Sequence, residues 1–272
     1  MEFSFVFHRA VPVYYVMKDK VLCIIQARMG SSRLPGKVLL DLAGEPVLAR
    51  IIERVKKSKL IDKIIIATSG KKDDDEIDRL GTKLGIDVFR GSENDVLDRY
   101  YQVAKHYGYG HIVRVTGDCP LIDPGIIDEV ISLYRLEDVD YATNVIPPTY
   151  PDGLDAEIFS FAALEKAWRE AKLNSGREHV TVYMWQNPGK FKQAHLNNSV
   201  DLSAKRWVLD NPEDYEVMKS VYEKLYANNP EFRMKDLLMW FGLHPEIEDL
   251  NKKIGRNEGL AKSLKEDKII DN

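Results

Sequence analysis

The chain has 272 residues, 44% of them hydrophobic, and a formal net charge of −4. This length suits one sizeable α/β domain, or one domain with an extension. The nearly balanced charge argues against a nucleic-acid binder. Two cysteines, Cys23 on a predicted buried strand and Cys119 in a predicted loop, indicate a reducing cytoplasm rather than a disulfide framework.

Residues 1–20 are predicted to be an N-terminal arm, and a translation start at Met17 is the open alternative. The apolar patches of this segment are interrupted by Glu2, His8 and Arg9. They are too short to span a membrane. The segment also lacks the basic start and small-residue cleavage site of a signal peptide. We therefore expect no membrane partner.

Between residues 21 and 136 the pattern alternates between strands and helices. The predicted strands cover 21–25, 63–68, 86–89 and 111–116, with a short extended piece at 38–42. One predicted helix is opened by residues 44–46, with Pro46 in its first turn, and carries an apolar stripe from Val47 to Val55. The other predicted helices cover 73–84, 96–107 and 124–136. This alternation predicts a largely parallel sheet with helices on both faces. Because such sheets bind ligands beyond the carboxyl ends of their strands, the loops after Ile25, Thr68 and Thr116 should meet at one site.

After residue 140 the rhythm changes. The predicted strands cover 140–144, 155–160, 191–196 and 206–209. The predicted helices cover 162–171, 178–186 and 212–226, the last capped by Asp210 or Asn211. We expect one domain over 21–226 and a C-terminal extension of two or three short helices over 227–272. In that extension Trp240 and Phe241 need an apolar partner, either the main domain or a second copy of the chain.

The loop after the first strand, residues 26–37, reads Q-A-R-M-G-S-S-R-L-P-G-K. Small residues expose backbone N–H groups, and Arg28, Arg33 and Lys37 add positive charge, which together suit a polyphosphate. Arginine can grip a phosphate through two parallel N–H bonds, whereas lysine acts as a point charge. Neither G-x-x-x-x-G-K-[ST] nor G-x-G-x-x-G occurs here. The residues alone therefore leave open an ordinary surface turn with solvated charges.

The order R-x-G-S-S-R-L-P-G-K resembles the phosphate loop of the sugar-activating cytidylyltransferases. These include the CMP-3-deoxy-manno-octulosonate and CMP-acylneuraminate synthetases, and the resemblance is greatest to the spore-coat polysaccharide biosynthesis protein F group. It runs from about residue 21 to 226. It implies a three-layer α/β/α fold of the nucleotide-diphospho-sugar transferases (GT-A-like and Rossmann-like), with a mostly parallel mixed sheet.

The resemblance also implies a set of contacts to CTP. The triphosphate loop would use Gln26, Ala27, Arg28, Gly30, Ser31, Ser32, Arg33 and Lys37. Thr68 and Ser69 would help to recognise the pyrimidine. At this place the sequence A-T-S-G departs from the A-T-D-D form of some family members.

Two aspartates are candidate ligands for Mg²⁺, which needs few protein ligands because it keeps waters and phosphate oxygens. Asp118 follows a strand in V-T-G-D-C-P-L-I-D-P, and Asp210 lies in V-L-D-N-P-E-D-Y-E. The residues alone leave open a turn aspartate at 118 and a helix cap at 210. The resemblance implies that both hold the metal. With Arg28 and Lys37 they form the predicted catalytic set.

Two later segments, G-L-D-A-E-I-F and R-E-H-V-T, resemble segments of the spore-coat branch. They imply that Asp155, Glu157, Arg177 and His179 bind the sugar. For His179 alone, a structural role stays open. Arg177 is the predicted partner of a carboxylate on the sugar, since the predicted helix start beside it also favours an anion.

The sequence therefore predicts a Mg²⁺-dependent, cytoplasmic cytidylyltransferase that activates a small acidic sugar with CTP for surface polysaccharide synthesis. A sugar hydroxyl attacks the α-phosphorus in line, and pyrophosphate leaves. One alternative is a glycosyltransferase, or a nucleotidyltransferase that uses another nucleotide. The other is a non-catalytic nucleotide-sugar-binding protein. A homodimer stays open.

Overall fold

The structure, a computed structural model, describes residues 19–270. The predicted N-terminal arm, apart from its last two residues, and the alternative start at Met17 lie outside the described residues. Within residues 19–270, no helix is long and apolar enough to cross a membrane.

The described part of the chain forms nine strands. They are β1 (Val21–Gln26), β2 (Asp41–Leu42), β3 (Glu45–Pro46), β4 (Lys63–Ser69), β5 (Asp87–Gly91), β6 (His111–Thr116), β7 (Tyr141–Thr143), β8 (Glu157–Ser160) and β9 (Gln193–His195). Seven of them form one sheet in the order β5-β4-β1-β6-β8-β7-β9. The strands from β5 to β6 pair in parallel, and β8 runs antiparallel to both β6 and β7. The predicted mostly parallel mixed sheet is confirmed.

The same residues form eleven α-helices. They are α1 (Val47–Val55), α2 (Asp75–Leu84), α3 (Val96–Tyr107), α4 (Pro124–Glu137), α5 (Phe161–Glu170), α6 (Asn174–Glu178), α7 (Val182–Trp185), α8 (Pro212–Val221), α9 (Met234–Leu243), α10 (Pro245–Glu248) and α11 (Glu258–Lys265). Single 3₁₀ turns cover Lys37–Leu39 and Lys72–Asp74, and a π-helical turn covers Tyr222–Tyr226.

Strand β1 shows why the fold has three layers. Successive side chains of a strand point to opposite faces of the sheet. Val21, Cys23 and Ile25 pack with helices α1, α4 and α8, whereas Leu22 and Ile24 pack with α3 and α5. A strand buried on both faces needs an unbroken apolar sequence, which V-L-C-I-I provides. The predicted α/β/α architecture is therefore confirmed.

Two predicted elements near the phosphate loop differ in detail. Residues 38–42 are not one extended piece, because Lys37–Leu39 form a 3₁₀ turn and only Asp41–Leu42 are a strand. The turn begins after Gly36, whose φ of 70° lies in the left-handed region that suits glycine. Helix α1 begins at Val47, so Pro46 is its N-cap residue rather than part of its first turn.

Two elements predicted after residue 140 are wrong. The helix over 178–186 is broken at Val180, which has a φ of 58° and is fully buried, so that the helices on either side are short. Residues 206–209 form no strand, because their N–H groups turn to two different loops. Trp207 N donates to Asp152 O, and Leu209 N donates to Asp118 O.

The C-terminal helices pack on the main body. Trp240 and Phe241 of α9 are buried in the larger core, where the Phe241 ring stacks on Trp207 at 5.4 Å between ring centroids. Of the two predicted partners for these residues, the main domain is the one observed. The division of the chain at residue 226 stays a prediction.

Candidate active site

A cavity of about 710 Å³ opens at the carboxyl ends of β1 and β6. All eight residues predicted to hold the triphosphate line it, from Gln26 to Lys37. So do Asp118, Asp155, Glu157, His179 and Asp210. The topology thus brings together the residues of the phosphate, metal and sugar predictions. Thr68, Ser69 and Arg177 do not line this cavity.

Lys37 lies at the centre of the site. Its ammonium donates to Asp118 Oδ2 at 2.9 Å, to Asp210 Oδ1 at 2.6 Å and to Leu209 O at 2.9 Å. The residue is 8% exposed. Two carboxylates from loops far apart in the sequence therefore share one buried ammonium.

The attraction between Lys37 and its two carboxylate neighbours keeps Lys37 and Asp118 ionised in spite of their burial. Burial alone would raise the pKa of Asp118, but the neighbouring Lys37 ammonium outweighs it and holds that pKa at about 2. Burial likewise works against the charge of Lys37, and the two carboxylates outweigh it and raise the Lys37 pKa. Asp118 and Lys37 are therefore both charged at neutral pH.

Neither aspartate has the structural role that the sequence left open. The N-cap of α8 is Asn211, whose partner in the capping box is Asp214, so Asp210 does not cap the helix. Asp210 turns its second carboxylate oxygen to Arg33 Nη2 at 2.8 Å. The Asp118 carboxylate faces Lys37 and, at 3.6 Å, the thiol of Cys119.

These carboxylates fit a magnesium ion. Asp118 Oδ2 and Asp210 Oδ1 converge on one point, which the Lys37 ammonium marks. Within residues 19–270, no group of three or more histidine, cysteine, aspartate or glutamate side chains could hold a metal. Two carboxylates, with waters and phosphate oxygens, are the kind of donor set that Mg²⁺ accepts.

The side chains predicted to bind the sugar are held by other protein groups. Glu157 accepts a hydrogen bond from Tyr141 at 2.5 Å and forms an ion pair with Arg114. Asp155 accepts from Arg256 Nη2 at 2.8 Å. Burial raises the pKa of Asp155 to about 7 in spite of Arg256, and the charge of Asp152 adds to the rise. Asp155 can therefore take up or release a proton near neutral pH.

His179 lies on the cavity wall at the break between α6 and α7. Its Nε2 lies 3.0 Å from Ser263 Oγ. Burial lowers its pKa, and the charges of Arg114 and Arg28 lower it further. The ring is therefore a neutral hydrogen-bonding group at neutral pH, held in place by Ser263.

The predicted contact of Arg177 with the sugar is not supported by its placement. Its Nε donates to Asp95 Oδ2 at 2.9 Å, and its Nη1 donates to Trp168 O at 2.6 Å. The residue lies in the last turn of α6 rather than at a helix start. Its charge is already neutralised by Asp95, outside the cavity.

Thr68 and Ser69 are also placed differently from the prediction. Both are fully buried, and the backbone N–H of Ser69 donates to Asp74 Oδ2 at 3.0 Å. The other oxygen of Asp74 accepts from Met29 N at 2.7 Å. The end of β4 therefore supports the phosphate loop from behind through Asp74, and the loop after Thr68 does not join the cavity as expected.

A C-terminal strap, residues 255–270, was missed as part of the site. Its residues Asn257, Gly259 and Leu260 line the cavity. Its Glu258 lies 3.8 Å from Arg33, and its Asp267 accepts from Ser175 N at 2.9 Å. Sequence patterns show short helices here, but they do not show that the segment returns to the phosphate loop.

Two further arginines on the cavity wall, Arg99 of α3 and Arg114 of β6, were also missed. Helical spacing placed Arg99 on the predicted helix over 96–107. This spacing does not show whether the Arg99 side chain faces a ligand site or solvent. Arg114 occupies an ordinary strand position in the sequence, and only its burial beside Glu157 shows its place.

Comparison with known proteins gives a consistent result. The family model for cytidylyltransferases matches residues 22–236. The spore coat polysaccharide biosynthesis protein SpsF of Bacillus subtilis is 34% identical over 84% of this chain and 96% of its own length. A 3-deoxy-manno-octulosonate cytidylyltransferase of Trichlorobacter lovleyi is 36% identical over 78% of this chain and 95% of its own length. The solved structure of a cytidylyltransferase from Leptospira borgpetersenii has a TM-score of 0.79 and 40% identity, and the match covers 84% of this chain and 96% of that one.

Proposed function

Because this chain belongs to the cytidylyltransferase family, we propose that it transfers CMP from CTP to an acidic sugar in the presence of Mg²⁺. The products are a CMP-sugar and pyrophosphate. The observation that carries this proposal is the buried centre of Lys37, Asp118 and Asp210 beside the phosphate loop. The cavity around it, about 710 Å³, is within the range of small-ligand sites.

The triphosphate is assigned to the loop over 28–37. Arg28 and Arg33 line the cavity together with Gly30, Ser31 and Ser32, and such loops bind phosphate oxygens through N–H groups and cations. Asp118 and Asp210 would hold Mg²⁺, which supplies positive charge to the phosphate oxygens. With the metal bound, Lys37 would be free to turn from the carboxylates towards the phosphate chain.

The sugar enters from the side of β8. A sugar hydroxyl forms a bond to the α-phosphorus as the bond from that phosphorus to the pyrophosphate oxygen breaks. The hydroxyl proton is assigned to Asp155, whose pKa of about 7 lets its carboxylate accept a proton at neutral pH. Positioning and charge stabilisation supply most of the rate, as in other phosphoryl transfers.

The names of the relatives support the choice of an acidic sugar and of polysaccharide synthesis. One similar enzyme is named for 3-deoxy-manno-octulosonate, which carries a carboxylate. Another similar protein is named for spore coat polysaccharide synthesis. The two cysteines, both free and buried, are compatible with the reducing cytoplasm that we propose as the compartment.

The test is pyrophosphate release from CTP and Mg²⁺ with a panel of acidic sugars. Asp118→Asn and Asp210→Asn should each lower turnover by about 10²- to 10³-fold, the usual effect of removing one electrostatic contact to a transition state. Asp201→Asn, an exposed aspartate outside the cavity, is the matched control and should leave turnover unchanged. Circular dichroism checks that each variant is folded.

Near-normal turnover of folded Asp118→Asn would contradict the metal assignment. Sugar transfer without pyrophosphate release would indicate a glycosyltransferase instead. Binding of CTP with no turnover of any sugar would favour the non-catalytic alternative.

A further inference from the structure

Arg99 carries a buried positive charge that forms no ion pair with a carboxylate among residues 19–270. It lies in the second turn of α3, is 2% exposed and lines the cavity. Its Nε and Nη1 have no hydrogen-bond acceptor among residues 19–270. Leaving a buried charge unpaired is strongly unfavourable. An anion in the cavity would balance this charge.

Among residues 19–270, the carboxylates near Arg99 are engaged with other groups; Asp74, for example, accepts from the backbone N–H groups of Met29 and Ser69. Asp95, one helical turn earlier, is the expected i,i+4 partner. Its Oδ1 instead caps α3 by accepting from Asp98 N at 2.8 Å, and its Oδ2 accepts from Arg177. Glu93 forms an ion pair with Lys71 at 2.7 Å.

A second arginine stands beside Arg99. Burial lowers the pKa of Arg99, and the charge of Arg28 also acts to lower it. Arg28 lines the same cavity, and its Nη1 is 3.4 Å from the carbonyl oxygen of Glu93. Arg114, by contrast, is neutralised by Glu157. Arg28 and Arg99 therefore line the same cavity, and neither forms an ion pair with a carboxylate among residues 19–270.

The residues around Arg99 differ from those of the phosphate centre, which consists of Lys37, Asp118 and Asp210. The cavity wall includes Val96 of α3 and Val182 and Trp185 of α7. His179 also lies on this wall, near enough to Arg28 for the arginine's charge to lower the pKa of the histidine. The phosphate centre, in contrast, is built by Lys37 with carboxylates from the other loops. Arg28 is thus the group that this part of the cavity shares with the loop that we assign to the triphosphate.

We propose that Arg99 binds the carboxylate of the acidic sugar, and that the nearby Arg28, which we assign to the triphosphate, adds to the positive charge there. A guanidinium presents parallel N–H donors that match the two oxygens of a carboxylate. Arg99 thereby takes the role that the sequence assigned to Arg177. This inference rests on the proposed function, because it names the group that selects an acidic sugar.

The test compares Arg99→Met with Arg177→Met. Methionine keeps most of the side-chain length and removes the charge. Arg99→Met should raise the KM for the acidic sugar by about 10- to 150-fold, the usual value of a charge-assisted hydrogen bond, and change the KM for CTP less than about 2-fold. Without ligands it should melt at a higher temperature than the wild type, because an unpaired buried charge has been removed. Arg177→Met should melt lower, because Asp95 loses its partner.

Calorimetry with 3-deoxy-manno-octulosonate and N-acetylneuraminate, each against its methyl ester, separates the outcomes. The inference requires that the wild type prefers at least one acid to its ester and that Arg99→Met loses this preference. No preference in the wild type, equal preference in both proteins, or a raised KM for CTP in Arg99→Met would overturn it. If the preference is present and lost as expected while no pyrophosphate is released, the proposed function fails and the anion site stands.

Discussion

Removing the Lys37 ammonium tests the electrostatic core of the site without any substrate. In Lys37→Met the carboxylates of Asp118 and Asp210 lose the cation that they share, at 2.9 and 2.6 Å. Breaking a buried ion pair typically costs 3–5 kcal/mol of stability. The two aspartate side chains are 25% and 21% exposed, so water screens part of their repulsion. We therefore expect a loss of about 3 kcal/mol at pH 7, the lower end of that range.

The pH dependence gives this prediction a distinctive shape. In the wild type the pKa of Asp118 lies at about 2, below its usual 3.8, so its contribution to stability is present above pH 3.8 and is lost as pH falls towards 2. In Lys37→Met the hydrogen bonds of Asp118 to Thr116 and Cys119 remain, but burial and the neighbouring charge of Asp210 outweigh them, so we expect that pKa to rise above 3.8. The variant should then lose stability as pH rises from about 4 to 7. In the wild type, the ion pair of Asp118 with Lys37 contributes fully over this pH range.

Urea unfolding followed by circular dichroism at pH 4 to 7 measures both effects. Arg33→Met is the matched control, because Arg33 also pairs with Asp210 but its side chain is 35% exposed. A partly exposed ion pair of this kind contributes about 0–1 kcal/mol to the free energy of unfolding. If Lys37→Met is as stable as Arg33→Met at pH 7, and its profile runs parallel to that of the wild type, the three charged groups do not form the energetic unit described here.

Two further predictions concern the segment that carries the sugar-side carboxylates. Because the pKa of Asp155 is raised to about 7, the folded protein binds one more proton than the unfolded chain and loses stability as pH rises from about 4 to 7. In urea titrations, Asp155→Asn should reduce this dependence of stability on pH. An unchanged dependence would contradict the raised pKa of Asp155. Gly153 has a φ of 104°, and a Cβ there would lie 2.2 Å from Trp207 O. Gly153→Ala should therefore lower the free energy of unfolding by about 3 kcal/mol or more. Gly189→Ala, with open space around it, should leave stability nearly unchanged. Equal melting temperatures of the two variants would refute this argument.

Local pattern was enough to predict the central sheet and its helices. The predicted helix over 96–107 and the predicted strand over 111–116 have the bounds of α3 and β6. These elements obey a simple rule, since each has one apolar face or an apolar run bounded by turn residues. Prediction from apolar pattern fails where residues line the cavity instead of packing in the core. At Val180 the backbone leaves the helix, with His179 and Thr181 on the cavity wall on either side.

The candidate site was predictable as far as topology and motif reach. Parallel strands bring the phosphate loop and Asp118 to one edge of the sheet, so their meeting follows from the alternating pattern. The pairing of charges does not follow from it. Asp95 has two arginines within reach, and only the packing of α3 against α6 decides that Arg177 is neutralised and Arg99 is not.

The long sequence separations around Lys37 have a consequence for how the protein loses activity. The three acceptors of its ammonium lie 81, 172 and 173 residues further along the chain. Contacts of such separation close late in folding, after the sheet whose strands lie nearer together in sequence. Local opening that frees the segment around Asp210 would thus dismantle the proposed catalytic centre while the sheet stays intact. Enzymatic rate should therefore fall at lower urea concentration than the far-ultraviolet signal, which makes activity a sensitive reporter of partial unfolding; coincident curves would show that the site and the sheet unfold as one unit.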